Sequence, residues 1–333
     1  RDLIKKEIME NGSDLLKFDL KLQGINVEIY FLLFGKNSFE NLRVYDLYVK
    51  DIFVFLKFLL FFMKGTKTKS ISYYLFLTDL EKKLPETKLN VLSSENCNTG
   101  LTFGCAENAR VLVYRKEEWF KVLIHETIHM FCQDFNNMHL EKIHGKFSKL
   151  LNIKSDFNIY ESYTEFWAMV FQSMFTASKL TGELKNEKTF LLYLDFILHY
   201  EKIFSLFQCV KVLDFMGLRY DILTSNDTIN YSLKQLYYKE NTNVFAYYIG
   251  KLILFYYRED FILWCKKNNK KNLFNFTKTD ENLDLFYEFL TTKMFDQKIS
   301  NDIKKMEGIF KSIKKNQGNY INNTLRMTIA NIK

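Results

Sequence analysis

The apolar pattern of this chain changes character at Lys116, and that change constrains the fold more than any other feature. Ahead of it the segments read as strands. LLKFDLKL alternates apolar and polar, Gln23-Gly24-Ile25-Asn26 supplies a turn and VEIYFLLF follows, which predicts a hairpin over 15–34. A long helix is expected over 39–63, ending before Gly65. Ile71–Thr78 and Ala109–Tyr114 read as strands by their β-branched and aromatic content, with Pro85 in a loop and Asn98-Thr99-Gly100 as a turn. From Lys116 onward helical periods take over, and the spacing predicts helices over 116–134, 138–150, 160–178, 186–205, 207–217, 230–239, 243–267 and 281–314. Strands gathered before residue 115 and helices after it make the class α+β. No internal repeat is evident, and the tail from Gln317 is polar and Asn-rich.

The chain has 333 residues, 47% of them hydrophobic and 17% aromatic, enough for a sizeable core in one large domain or two lobes. Phe, Tyr, Lys, Asn and Ile are heavy against one Pro and 12 Gly, the bias an A/T-rich genome imposes, so the net charge of +8 is read in part as drift toward Lys codons. The lysines are spread out, apart from short clusters at 266–271 and at Lys311, Lys314 and Lys315. That spread argues against a nucleic-acid partner. Residues 52–63 (IFVFLKFLLFFM) are too short to span a bilayer and contain Lys57, and Val244–Tyr257 is interrupted by Lys251. No membrane span is expected. The five cysteines are odd in number, widely spaced and free of any CxxC pair, so a disulfide framework or thiolate metal site has little support and a reducing compartment fits best. The first residue is Arg1 and not Met, which points to a processed or trimmed product.

The chemistry concentrates in Lys121–Met130, KVLIHETIHM. His125-Glu126-Thr127-Ile128-His129 is an HExxH pattern, and residues four apart share a helix face, so both imidazoles can reach one metal ion. Glu126 projects about 100° round from His125. From there it can accept a proton from a water held by the metal without displacing a ligand. The bland alternative is a buried amphipathic helix whose histidines bond neighbouring backbone. Three features weigh against it. Only five histidines occur in the chain, and two fall at this spacing around a glutamate. The helix is apolar almost all round, so three titratable side chains buried in it need partners. A strand precedes the helix and a helix bearing two glutamates follows. Zinc is the expected cofactor.

A catalytic zinc takes three protein ligands and keeps one position open. A third histidine at the HExxHxxGxxH position would stand where Phe135 stands, which excludes the metzincin pattern. His139 and His144 belong to an exposed, charged helix. The better source is Tyr160–Ala168 (YESYTEFWA), where Glu161 and Glu165 lie four apart among aromatic and apolar residues. One of them can ligate zinc while the other accepts the free N–H of a ligating imidazole.

HETIH followed by ESYTE resembles the gluzincin clan of zinc peptidases, in which HExxH and a downstream ExxxD or ExxxE supply two histidines and a glutamate. The resemblance covers roughly residues 70–170. It implies a two-lobed zincin-like fold: an N-terminal lobe over 1–135 with a small mixed β-sheet, helices and the active-site helix, and an all-helical C-terminal lobe over 136–333 carrying the third ligand. It implies His125, His129 and Glu161 as metal ligands, Glu126 as general base and acid, and Glu165 where the family has its second acid, commonly Asp. The departure to Glu leaves the roles of Glu161 and Glu165 exchangeable. The segment RKEEWFKVLIHETIH is also similar to proteins of large DNA viruses.

By the same resemblance Asn98–Thr102 falls where gluzincins carry the edge strand that pairs with an extended peptide, although an ordinary polar turn reads equally well. An oxyanion donor is expected from the C-terminal part. Tyr248 is chosen here, with Tyr247 and His199 as alternatives and core packing as the competing role. The expectation is a zinc-dependent peptidase acting on a peptide or protein, cytoplasmic or virion-associated. The alternatives are a zinc hydrolase of a non-peptide amide and a zincin-like scaffold without turnover that serves as a structural or binding protein.

Overall fold

Gln23 and Gly24, at φ 49° and 85°, close a two-residue turn of the kind that matches the twist of antiparallel strands, and the N-terminal sheet is built outward from it. The computed structural model describes residues 2–35, 42–63, 65–182, 186–315 and 320–330. Arg1, the start of the helix expected at 39–63, and tail residues 317–319 and 331–333 lie outside them. In chain order the elements are α1 (Asp2–Asn11), β1 (Gly12–Leu22), β2 (Ile25–Phe34), α2 (Arg43–Phe62), β3 (Ser70–Thr78), β4 (Leu92–Ser93), α3 (Ser94–Cys97), β5 (Gly100–Phe103), β6 (Asn108–Arg115) and α4 (Trp119–Met130). They continue with α5 (Glu141–Leu151), α6 (Tyr160–Thr181), α7 (Glu187–Phe215), α8 (Tyr220–Leu223), α9 (Thr228–Tyr237), β7 (Glu240–Asn241), a π-helical turn Phe245–Gly250, α10 (Lys251–Tyr256), α11 (Arg258–Asn268), α12 (Asp280–Met294), α13 (Gln297–Lys314) and α14 (Tyr320–Asn323). The protein is thus mixed α+β, with a small mixed sheet and a helical C-terminal part.

Two compact units emerge. The first comprises residues 1–81, 99–134 and 269–276, and the second 82–98, 135–268 and 277–333. In the first unit the sheet order is β1-β2-β3-β6-β5. The two outer pairs are antiparallel, while β2–β3 and β3–β6 are parallel. Val27, Ile29, Phe31 and Leu33 alternate with more exposed residues along β2, and Ile71, Tyr73 and Leu75 do so along β3. Ala109, Val111 and Val113 repeat the pattern on β6, so one continuous apolar face is buried. Each such aliphatic side chain contributes about 1.5–3 kcal/mol when fully buried. Helices α2 and α4 pack side by side through Tyr48 on Trp119 and Phe55 on Phe120.

One expectation is corrected in this unit. Cys105 and Cys132 form a disulfide with Cα atoms 5.4 Å apart, joining the β5–β6 connection to the turn after α4. Sequence spacing could not reveal the pair because β6 and α4 separate its members. Cysteine usage therefore no longer argues for a reducing compartment. Cys97, Cys209 and Cys265 are buried and take no part in the disulfide.

In the second unit the helices pack around α7, which contacts α6, α10 and α13. Where helices were expected over 186–205 and 207–217, one helix runs unbroken from Glu187 to Phe215, because no Gly or Pro interrupts it. Conversely, the single helix expected over 281–314 is two. Asp296 accepts the Lys298 N–H at 2.8 Å and starts α13 afresh. The second unit is helical apart from the two-residue parallel pair of β4 and β7, a departure from an all-helical part. Among the described residues no helix is long and apolar enough to cross a membrane.

Candidate metal centre

Helix α4 carries His125, Glu126 and His129, and all twelve of its residues are buried. It has neither Gly nor Pro, and it begins at Glu118, whose φ of 59° turns the chain out of β6. Thr127 marks the sheet side of the helix. Its hydroxyl donates to the Leu123 carbonyl at 2.7 Å, so the buried Tyr73 hydroxyl 2.9 Å away must be the donor to Thr127. Burial pushes the Tyr73 phenol well above its ordinary pKa, which keeps that proton in place. Residue 127 lies about 200° round the helix from residue 125, so anchoring it against the sheet turns both histidines the other way.

The two imidazoles converge. His125 Nε2 and His129 Nε2 are 2.9 Å apart. The other nitrogen of His129, Nδ1, bonds the carboxylate of Asp134, which is wholly buried. Donating Nδ1–H to that carboxylate puts the Nε2 lone pair on the side facing His125. The local backbone explains how a residue five positions later comes back to His129. Cys132 sits at φ 54°, its N–H donates to the His129 carbonyl at 2.9 Å, and the Gln133 N–H donates to the Ile128 carbonyl at 3.0 Å. This double bond pattern around a left-handed residue ends the helix and reverses the chain, which brings Asp134 under the imidazole. Sequence pattern alone places a carboxylate for a ligating imidazole on α6, at Glu165 or in exchange Glu161; for Asp134 the only signal is an Asp shortly beyond the helix end, with a Cys where a Gly would have announced the turn.

The β5–β6 connection lies close against α4. A Cβ at Gly100 would stand 3.1 Å from Glu126 Cγ and 2.8 Å from Val122 Cγ1, and one at Gly104 would stand 2.6 Å from Met130 Cα. Strand β5 is the edge of the sheet, so the segment Asn98–Thr102 does run into an edge strand, seated beside the glutamate of the motif.

Glu161 and Glu165 sit one helical turn apart at the start of α6, 9% and 3% exposed. The Asn243 amide donates to Glu161 Oε1 at 3.2 Å, and Asn158 donates to Asn243 Oδ1 at 2.9 Å, so a chain of amides fixes this carboxylate. Ser162 donates to the Ala246 carbonyl at 3.0 Å, and a Cβ at Gly250 would fall 2.2 Å from the Ser162 hydroxyl, so only glycine lets the π-helical turn lie this close to α6. Among the described residues one group of His, Cys, Asp or Glu could share a cation: His125, His129 and Glu161, with one ligand atom from each within 4.8 Å of the others. Two imidazoles and a carboxylate are a donor set that suits zinc. Glu165 is buried on the same helix but does not belong to that group, and neither do His139 and His144.

Tyr248, expected to face an oxyanion, is wholly buried, and its hydroxyl donates to the Leu325 carbonyl at 2.6 Å. A phenol has one proton to give, so this hydroxyl is committed to the C-terminal segment. Tyr247 is buried in the same π-helical turn, and His199 is exposed on α7 with its ring edge-on to Tyr200. None of the three is assigned as an oxyanion donor. No protein-family model, curated protein or solved structure matches the chain.

Proposed function

We propose that the chain is a zinc-dependent peptidase of the gluzincin type with a zincin-like fold, in which His125, His129 and Glu161 hold the metal and Glu126 is the general base and acid. The observation that carries this reading is the convergence of those three ligand atoms, with Glu126 on the same helix as the histidines. The ligand count supports a catalytic rather than a closed structural site, since three protein donors leave a coordination position for a reactant. Zinc, when bound, supplies a Lewis acid that polarises a carbonyl and acidifies water. Glu126 takes the proton of the attacking water and delivers it to the departing amine nitrogen, a transfer that needs a carboxylate held close to the reacting atoms. Asp134 keeps His129 in the tautomer that presents Nε2. Strand β5 lies at the edge of the sheet beside Glu126, a position suited to holding an extended peptide by strand addition, which favours a peptide over a small amide as substrate. An intact Glu126 also favours turnover over a purely structural metal site, which has no use for it.

Metal analysis of the purified native protein tests the proposal. The expected result is about one zinc per chain, lost when His125 or His129 is replaced by Ala. A folded native protein that takes up no zinc would overturn it. Glu126→Gln is expected to keep zinc and lose hydrolysis of a generic protein substrate by a factor of about 100 or more; undiminished hydrolysis by that variant would remove Glu126 from its role.

A further inference from the structure

The connection between β5 and β6 is tied down on two sides. Lys69 and Ser70 donate their N–H groups to the Glu107 carbonyl at 2.7 and 3.0 Å, and the Thr68 hydroxyl donates to the Ala106 carbonyl at 3.3 Å. On the other side, a Cβ at Gly104 would meet the His129 carbonyl oxygen at 3.0 Å, and the Cys105 N–H donates to the Met130 carbonyl at 2.9 Å. The connection is thus a fixed point beside the end of α4. Cys105 couples the two: its Sγ lies 3.8 Å from the His129 carbonyl oxygen and is bonded to Cys132.

Cys132 is the residue whose left-handed backbone turns the chain so that Asp134 reaches His129. Cys105 is left-handed as well, at φ 60° against 54° for Cys132. A residue with a Cβ is disfavoured in that region, and such conformations persist only where the surroundings over-determine them. The cross-link joins these two disfavoured residues to each other, and through them ties the turn to the anchored connection. From another direction the Phe276 N–H donates to the Gln133 carbonyl at 2.7 Å, so opening the bridge shifts the turn without unfolding α4. Cys105 is exposed and Cys132 half-buried, which gives a small thiol access to the bond.

We infer that the Cys105–Cys132 disulfide is a redox switch on the candidate metal centre: closed, it holds Asp134 against His129; opened, it releases the turn and lowers the affinity for zinc. This switch rests on the zinc reading proposed above and adds its regulator, a small thiol such as glutathione. The first thiolate attacks Cys105 Sγ, the S–S bond breaks and Cys132 leaves as a thiolate. A second thiolate attacks the sulfur of the attached small molecule, Cys105 leaves, and the small-molecule disulfide departs. The two cysteines take up the protons that the two thiols gave, so the protein gains two electrons and two protons while the thiol is oxidised.

The test measures zinc affinity by chelator competition in the oxidised protein and in protein reduced with glutathione, then freed of it under nitrogen. Alkylation and mass spectrometry read the state of each cysteine. Reduction is expected to weaken zinc binding about tenfold, the lower end of the loss caused by removing the partner of a ligating histidine. In Asp134→Asn, reduction should change the affinity by less than about twofold, because the contact it acts through is already gone. Cys132→Ser should bind zinc like the reduced protein under both conditions. Cys132→Gly, which takes the left-handed turn without a cross-link, should bind like the oxidised protein. In the metal-free protein, reduction should speed hydrogen exchange at the Cys132 and Gln133 amides at least about tenfold more than at the α4 amides. Equal zinc affinity in the two redox states, or an equal loss on reduction in Asp134→Asn, overturns the switch and leaves the zinc reading standing. A bond that glutathione leaves intact in the folded protein, or turn amides that reduction does not loosen, overturns it by readouts that need no metal. Zinc bound by neither form removes the zinc reading and the switch with it.

Discussion

At the scale of single residues, the proposed zinc site leans on side chains outside its ligand set. Asp134 holds the Nδ1 proton of His129, so Asp134→Asn is expected to weaken zinc binding about 10–100-fold while leaving the fold intact, as read by chelator competition and circular dichroism. Unchanged affinity would show that the imidazole needs no such partner. Asn243→Ala, which removes the amide bond to Glu161 Oε1, should weaken zinc binding in the same assay by about tenfold. Glu161→Gln should cost far more affinity than Glu165→Gln; the reverse order would exchange their roles. Of these residues, His125, Glu126 and His129 were legible in the sequence because helical spacing alone puts the two histidines on one face. Glu161 was legible as one of a pair. Asp134 was not, because its approach depends on a left-handed Cys132 that nothing in the residue type announces. Asn243 was not, because it is far from Glu161 along the chain.

At the scale of elements, two close approaches and one buried carboxyl carry testable consequences. Gly104 lies so near Met130 that Gly104→Ala must push the β5–β6 connection away from α4, at a cost of about 1–3 kcal/mol in denaturant unfolding. A neutral outcome would mean the connection yields freely. Glu240 on β7 accepts the Phe245 N–H that opens the π-helical turn, and burial pushes its carboxyl from an ordinary 4.5 up to about 7. Between those two values the folded protein keeps a proton that the unfolded chain has released. This contribution is therefore fully present below pH about 4.5 and is lost as pH rises through about 7. The native protein should lose about 2–3 kcal/mol from this group between pH 5 and pH 8, a loss that Glu240→Gln should remove, measured by urea melts at the two pH values; parallel profiles for the two proteins would refute it. Helix boundaries were readable where a breaker or cap residue stood in the chain and misread where it did not. The long α7 was divided in expectation although no Gly or Pro occurs in it. The break at Phe295–Asp296 was missed because an Asp N-cap inside an apolar period looks like one more polar face residue.

At the scale of the whole molecule, the Cys105–Cys132 disulfide closes a loop that spans β6 and α4. Thiol titration of the denatured, unreduced protein should count three thiols, for Cys97, Cys209 and Cys265, rising to five after reduction. Five before reduction would exclude the bond. Breaking it should lower stability by about 2–4 kcal/mol, because the unfolded chain regains the freedom the closed loop removes. The amino-acid order alone determined the α+β class, the hairpin, the parallel strands' positions and the helix that bears the HExxH pattern. These follow from periods of two and 3.6 residues and from turn chemistry, which act over a few neighbouring positions. Tertiary structure alone decided which cysteines pair, which carboxylate orients His129, and that Tyr248 serves the C-terminal segment. Each of those outcomes joins residues distant in sequence or set by one unusual backbone angle, where local pattern holds no information and only the packed chain selects the partner.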